Sequence, residues 1–158
     1  MKMFEIGDKV AYPMHGAGII EGVENKRILG QEHKYFILKL TVGNIKVMLP
    51  ISNVDEIGIR YIVTPDEADK VISGFKNCSN EGDNNWNKRY KDNISRLKDG
   101  KLSDVAFVAK SLFLRDKKKS LSNAERKMYN NAKNILISEL VLSKNSSYED
   151  IERLLDIS

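Results

Sequence analysis

The chain has 158 residues, of which 41% are hydrophobic and 30% charged, proportions that are ordinary for one medium or two small globular domains. No run of about 18 apolar residues is present, and residues 1–10 are charged where a secretory signal would be apolar, so we expect a cytoplasmic protein without membrane contact. The single cysteine excludes an internal disulfide, and with only two histidines the chain has too few ligands for a zinc site built on Cys and His.

Residues 1–64 consist of short alternating segments separated by turn signals. Apolar side chains alternate with other residues, with a period of two, through residues 36–42 and again through residues 45–49. Gly43-Asn44, between these segments, predicts a tight hairpin. We therefore expect four or five antiparallel strands that form a small Tudor- or SH3-like β barrel.

The pattern changes to helix after this segment. Residues 64–67 (Thr-Pro-Asp-Glu) and residues 122–125 (Ser-Asn-Ala-Glu) both have the sequence of a helix capping box. Apolar residues at helical spacing follow each of them. The predicted fold class is therefore α+β, with an antiparallel β barrel in residues 1–64 and an all-α domain in residues 65–158.

A strongly basic block lies within the net charge of +4. Residues 84–133 hold 14 Lys and Arg against 5 Asp and Glu, while the segments on either side of this block are acidic. Such a distribution suits a polyanionic partner, and the alternative is a solvated, lysine-rich helical surface. The densest basic run either reaches a DNA backbone or lies in a solvated loop; it comprises Arg115, Lys117, Lys118 and Lys119.

The residues that could serve catalysis do not assemble into a site. Gly16-Ala17-Gly18 lacks the later glycine of a phosphate-binding loop and lies between predicted strands. His15 is interpreted as a turn histidine and Cys78 as a surface cysteine. Favourable interaction with a helix dipole explains the acidic cluster of Asp66, Glu67 and Asp69. We therefore expect neither an enzyme nor a cofactor nor a small-molecule substrate.

Two stretches of the chain are more specific than these general patterns. The first is VAYPMHGAGII, residues 10–20, and the second is NWNKRYK, residues 85–91, which LSNAERKM follows at residues 121–128. In this order they resemble the CarD/CdnL family of bacterial transcription regulators, from about residue 4 to residue 155. The first stretch also resembles the polymerase-binding domain of the transcription-repair coupling factor, and the tryptophan motif favours the CarD family.

The resemblance implies a protein that bridges RNA polymerase and promoter DNA. In this family the Tudor-like domain binds the β subunit of RNA polymerase, and the helical domain contacts DNA at the upstream edge of the transcription bubble. A tryptophan wedges into the minor groove there and slows collapse of the bubble, usually at ribosomal RNA and other housekeeping promoters. We accordingly expect the chain to stabilise the open promoter complex.

The family's wedge position falls on Trp86. Because Trp86 shares one helix face with Tyr90 and Ile94, the alternative is that it completes the helical core. The resemblance and the place of Trp86 at the very start of a helix favour the wedge. Contacts to DNA phosphates or to the DNA face are expected from Lys88, Arg89, Lys91 and Arg126.

On the polymerase side the resemblance selects four residues of the β domain. Lys26 and Arg27 at the end of the second strand, with Lys46 and Met48 on the next-to-last strand, are expected to line the polymerase contact. Some family members have a basic residue at the position of Met48, where methionine instead offers an adaptable apolar surface. An exposed strand edge can also extend a partner's sheet through backbone hydrogen bonds.

Two other functions are compatible with the same features. A protein–protein adaptor of the transcription machinery would use the helical domain without touching DNA, and its activity would survive charge reversal at Lys88 and Arg89. An RNA-binding protein would use the barrel and the basic helices, and would bind single-stranded RNA more tightly than a forked promoter duplex.

Overall fold

The alternating segments of the N-terminal part form strands. The computed structural model describes residues 3–157. Its five strands are β1 (Lys9–Tyr12), β2 (Gly16–Ile28), β3 (Gln31–Leu40), β4 (Lys46–Pro50) and β5 (Arg60–Tyr61). A 3₁₀ turn (Ile51–Asn53) and a one-turn helix, α1 (Val54–Ile57), connect β4 to β5.

All five strands belong to one antiparallel sheet with the order β4-β3-β2-β1-β5. This confirms the predicted α+β class, although β4 and β5 are the edges of the sheet, so backbone pairing among residues 3–157 leaves the barrel open. The inward-facing side chains of the alternating pattern, such as Val10, Ile20 and Leu38, form a core with α1. The connection between β3 and β4 spans residues 41–45, longer than the tight hairpin that Gly43-Asn44 predicts.

Strands β2 and β3 form a long hairpin that extends beyond this core. Their register shifts between Ile20 and Gly22, where a β-bulge bends β2, and pairing then continues to Ile28 opposite Gln31. Every residue from 24 to 34 is exposed. The outer part of the hairpin is therefore an unpacked arm that is open to a partner.

The C-terminal part of the chain is helical. Its helices are α2 (Pro65–Asn77), α3 (Trp86–Asp99), α4 (Leu102–Lys118), α5 (Asn123–Lys144) and α6 (Tyr148–Leu155). Both hydrogen bonds of a capping box join Thr64 and Glu67, as predicted. At the start of α5 the box is half formed, because Ser122 Oγ accepts a hydrogen bond from the backbone N–H of Glu125 while the carboxylate of Glu125 binds elsewhere. Within residues 3–157, no helix combines the length and the apolar character that crossing a membrane requires.

Helix α5 is the centre of the helical unit. It packs against α2, α4 and α6, and on another side against strand β2. Its residues Leu136, Ile137 and Leu140 are completely buried, and each such side chain contributes about 1.5–3 kcal/mol through the hydrophobic effect. The core that they build is separate from the core of the sheet.

Buried polar contacts on α5 join the helical unit to the sheet. Glu139 is 1% exposed, and its carboxylate accepts two parallel hydrogen bonds from the guanidinium of Arg60, at 2.7 and 2.9 Å. The same carboxylate accepts a hydrogen bond from the backbone N–H of Val63 at 2.9 Å. Ser138 Oγ accepts one from the backbone N–H of Ala17, also at 2.9 Å. Because these groups have specific partners in both units, they set the orientation of one unit relative to the other.

Candidate nucleic-acid and polymerase interfaces

Trp86 is the first residue of α3, immediately after the capping residue Asn85, whose side chain accepts a hydrogen bond from the backbone N–H of Lys88. The indole ring stacks on the ring of Tyr90, with 4.9 Å between ring centroids and an interplanar angle of 12°. Its Nε1–H donates to Ser122 Oγ at 3.3 Å. With 40% of its surface exposed, Trp86 is held in place on one side and open to a partner on the other.

Arg89 does not lie on the surface where a phosphate contact would require it. Arg89 is 5% exposed, and its guanidinium donates to both carboxylate oxygens of Glu125, Nε at 2.7 Å and Nη2 at 3.0 Å. Its Nη1 donates to the backbone carbonyls of Asp83 and Asn84. The hydrogen bond with Glu125 raises the pKa of the Arg89 guanidinium. The expected phosphate contact at Arg89 is therefore replaced by a structural one, which ties α3 to α5 and to the linker before α3.

Lys88 and Lys91 on α3 are exposed. The ammonium group of Lys88 lies 3.4 Å from a carboxylate oxygen of Asp83. A backbone hydrogen bond from Asn85 is the main cause of the lowered pKa of the Asp83 carboxyl, and its contact with Lys88 lowers that pKa further. Both lysines can reach solvent-borne phosphates, although Lys88 is partly neutralised.

Arg126 lies in the first turn of α5, four residues after the Ser122 that binds the Trp86 indole. Its side chain is 46% exposed and Nη2 donates to Asp116 Oδ1 at 2.7 Å. This hydrogen bond is the main cause of the lowered pKa of the Asp116 carboxyl. Arg126 is therefore accessible, with one edge of its guanidinium already occupied.

The basic run after residue 114 is divided between two roles. Arg115 donates to the backbone carbonyls of Glu81 and Asp83 and so holds the linker against α4. Lys118 pairs with the carboxylate of Glu81. Most of the run belongs to the last turn of α4, not to a loop between helices. This leaves Lys117 and Lys119 as exposed cations at the end of α4.

Three of the four residues expected to bind polymerase share one face of the sheet. Lys46 pairs with Lys39 and Met48 with Ile37 across β3 and β4, and Lys26 pairs with His33 across β2 and β3. The β3 partners are all odd-numbered, so they point away from the face that buries Phe36, Leu38 and Leu40.

Arg27 lies outside this shared face. It pairs with the even-numbered Glu32 and therefore points to the opposite face of the arm. Ile37 lies four positions after His33 on β3, so Lys26 and Met48 are offset by about 13 Å along the strand direction. The ammonium group of Lys46 lies 3.2 Å from a carboxylate oxygen of Glu21. Met48 is 36% exposed on the edge strand β4.

Side chains that could bind a metal ion do not cluster in the described part of the chain. Within residues 3–157 there is no group of three or more His, Cys, Asp and Glu side chains that could hold a metal ion. His15 packs its ring against that of Tyr12, with 4.2 Å between centroids, and Cys78 is a half-buried free thiol.

Comparison with known proteins gives the same family for both units. The CarD C-terminal domain matches residues 70–156 and the CarD-like/TRCF RID domain matches residues 4–63. The chain is 35% identical over 150 residues to the putative transcription factor YdeB of Bacillus subtilis (strain 168), covering 95% of this chain and 98% of that protein.

Two solved structures are similar to part of the chain. CdnLNt from Myxococcus xanthus is 32% identical, with 40% of this chain and 89% of that chain covered, at a TM-score of 0.35. The 72-residue N-terminal domain of Myxococcus xanthus CarD is 27% identical, with 37% and 79% covered, at a TM-score of 0.32.

Proposed function

The chain belongs to the CarD family of transcription factors and carries that family's RNA polymerase-interacting domain, and from this premise we propose that it bridges the polymerase β subunit and promoter DNA and stabilises the open promoter complex. The sheet binds polymerase, and the helical unit contacts DNA at the upstream edge of the bubble. Trp86 acts there as a wedge.

The observation that best supports the DNA contact is the way in which neighbouring residues hold the Trp86 side chain. An apolar wedge must enter a base step without first losing much conformational freedom, and the stacking on Tyr90 with the hydrogen bond to Ser122 restricts the indole in advance. Its exposed side remains free for a base pair. Lys88, Lys91 and Arg126 supply positive charge around it, which gives affinity for phosphates with little choice of sequence.

The polymerase contact is supported by the edge strand β4. Its outward face presents Met48 beside Lys46, and its free edge can accept a further strand. Lys26 extends the same face along the exposed arm of β2 and β3. A sheet edge that lies next to an apolar and basic face suits a partner with an acidic, strand-forming surface.

The fixed joint between the two units supports bridging in preference to two independent tethers. Arg60 and Glu139 set the distance and direction from the polymerase-binding sheet to Trp86. Once the sheet is bound to polymerase, Trp86 is therefore positioned at one place on the promoter. A weak affinity for DNA suffices for this contact, because tethering raises the effective concentration of the helical unit beside the promoter.

Photocrosslinking from position 86 tests this proposal. A photoreactive phenylalanine derivative replaces Trp86 in the full chain, which is assembled with the cognate polymerase holoenzyme and a ribosomal RNA promoter. The proposal predicts crosslinks to promoter DNA at the upstream edge of the bubble. The same group in place of Tyr61, an aromatic residue of similar exposure on β5, should give no DNA crosslink there.

The outcomes separate the alternatives. Crosslinks from position 86 to protein alone would favour an adaptor that never touches DNA. Crosslinks to transcript RNA would favour an RNA-binding function. Either result would contradict the proposed wedge.

A further inference from the structure

A groove of about 490 Å³ opens between α3 and α5, directly beside the stacked pair of Trp86 and Tyr90. Its walls are mainly apolar and come from three elements: Tyr90 and Ile94 on α3, Met128 on α5, and Met14 from the turn between β1 and β2. Tyr90 thus belongs both to the wedge and to the groove. The volume lies within the range of about 300–1,000 Å³ that is usual for ligand pockets.

We infer that this groove binds an unpaired nucleobase of the promoter at the junction where Trp86 separates the strands. The inference rests on the proposed function and adds a second site to it. Trp86 holds the junction open, and the groove captures a base that has lost its stacking partner. Capture of that base opposes closure of the bubble, since it must leave the groove before pairing again.

The shape and polarity of the walls suit a flat aromatic ring. The tyrosine ring gives a stacking surface, and stacking on aromatic side chains accepts every base because each has a π-face. The thioethers of Met14 and Met128 add polarizable, adaptable contacts that are favourable at the edge of an aromatic ring. A site of this kind would hold a base with little preference for its identity.

The charges around the groove favour a nucleotide over other flat ligands. None of the residues that line it is acidic, and Lys127 on α5 provides a cation for the phosphate attached to the base. Asn131 and Asn123 contribute amides, each of which can donate to and accept from the edge of a base. The groove therefore complements an anion that carries an aromatic, hydrogen-bonding ring.

Met14 lies at the third position of the turn that begins at Tyr12, after Pro13 at the second position. Its φ of 72° is the left-handed conformation typical of the third position of a type II turn. A backbone hydrogen bond from His15 to Tyr12 closes the turn that carries it. Through this turn the N-terminal unit contributes one wall of the groove directly.

The test combines a change in the groove with a change in the DNA. Asn131→Phe places a ring in the groove from an exposed position on α5, and Asn130→Phe, one residue earlier, places the same ring outside it. Each full-length variant is assembled with the cognate polymerase holoenzyme on an rRNA promoter. The promoter is either intact or abasic at the first unpaired upstream nucleotide, on each strand in turn. The lifetime of the open complex is the measurement.

We expect removal of the base on one strand to reduce the gain in lifetime given by the wild-type chain by about fivefold or more, a factor typical of stacking one base on an aromatic side chain. Asn131→Phe should show the reduced gain already on the intact promoter, with no further loss on the abasic one. Asn130→Phe should behave as wild type does. Thermal unfolding of both variants verifies that they fold alike.

Two results would overturn the inference. If Asn131→Phe keeps the full gain while Trp86→Ala loses it, the wedge stands and the base site does not. If the wild-type chain gives no gain on the intact promoter, the proposed function fails and the base site fails with it.

Discussion

Lys88 and Arg89 are neighbours on α3 with opposite surroundings. Lys88 is exposed, whereas the guanidinium of Arg89 is buried in a two-point contact with Glu125. Their sequence could not separate them, because the partner of Arg89 lies 36 residues further along the chain. The sequence around Glu125 did not indicate this partner either. Glu125 is the last residue of a predicted capping box, so its carboxylate was expected to bind the backbone of Ser122. The sequence therefore predicted the helix starts, which local hydrogen bonds determine. It did not predict the burial of Arg89, which depends on long-range packing, and Arg89 was assigned to the DNA contact.

Replacement of Arg89 should test its structural role. Arg89→Met leaves the carboxylate of Glu125 buried without a partner, so we expect a loss of about 3–5 kcal/mol in the free energy of unfolding. Lys88→Met should change it by less than about 0.5 kcal/mol. Urea denaturation followed by circular dichroism measures both variants.

A double variant serves as the control. Adding Glu125→Leu to Arg89→Met removes the uncompensated charge and should restore part of the lost stability. Equal stability of Arg89→Met and Lys88→Met would contradict the buried ion pair.

For the strands, the alternating pattern predicts the buried face but not the pairing between strands. Alternation predicted which side chains of β3 point inward, because a strand can bury only one face and successive residues point to opposite sides. The pattern gave no information on which residues of different strands meet on the outward face. Pairing in the sheet supplies that information and leaves Arg27 on the other side of the arm from Lys26, Lys46 and Met48.

Charge reversal on the outward face of the sheet should weaken polymerase binding. Lys46→Glu combined with Met48→Glu places two negative charges on the outward face of the edge strand, and we expect binding to polymerase to weaken by about tenfold or more, or about 1.4 kcal/mol. The dissociation constant for the isolated β subunit provides the measurement.

Lys101→Glu is the matched control for this change. Lys101 is an exposed cation before α4 in the helical unit, and its reversal should leave the affinity for the β subunit within a factor of about two. The face would be excluded as the contact if Lys101→Glu weakened binding as much as the double variant.

In the molecule as a whole, the joint between the sheet and α5 fixes how the two units are oriented relative to each other. Glu139 and Ser138 lie in an otherwise apolar stretch of α5, so neither could be assigned a partner from sequence. The structure places both against the N-terminal unit, where they bind Arg60 and the backbone of Ala17. The two predicted units were correct in class, but their rigid connection could not be predicted because all of its partners are distant in sequence.

Loss of this joint should uncouple the two units. Glu139→Ala leaves Arg60 and the N–H of Val63 without their partner, and we expect a loss of about 3 kcal/mol or more with unfolding that is no longer a single transition. The fluorescence of Trp86, the single tryptophan, reports the helical unit, and circular dichroism reports the whole chain. Arg153→Ala removes an exposed pair within α6 and should cost at most about 0.5 kcal/mol.

Substitution of two glycines on β2 tests how closely the sheet packs against α5. Gly16 has a φ of 113°, and a Cβ there would lie 3.1 Å from Ser138 Oγ, whereas nothing lies within 4 Å of a Cβ at Gly22. We therefore expect Gly16→Ala to lower the unfolding midpoint by several degrees, equivalent to about 1–3 kcal/mol, and Gly22→Ala to change it little. A midpoint for Gly16→Ala equal to that of Gly22→Ala would contradict both the strained backbone at Gly16 and its close contact with α5.

The proposed role of Trp86, positioned through polymerase, is to hold the promoter open, and the lifetime of the open complex measures this role. The measurement uses the cognate polymerase holoenzyme on a ribosomal RNA promoter, with the wild-type chain, Trp86→Ala, or no addition. We expect the wild-type chain to lengthen the lifetime, and Trp86→Ala to lose most of this gain while its affinity for polymerase is unchanged. A full gain in lifetime with Trp86→Ala, at equal occupancy of polymerase, would contradict it.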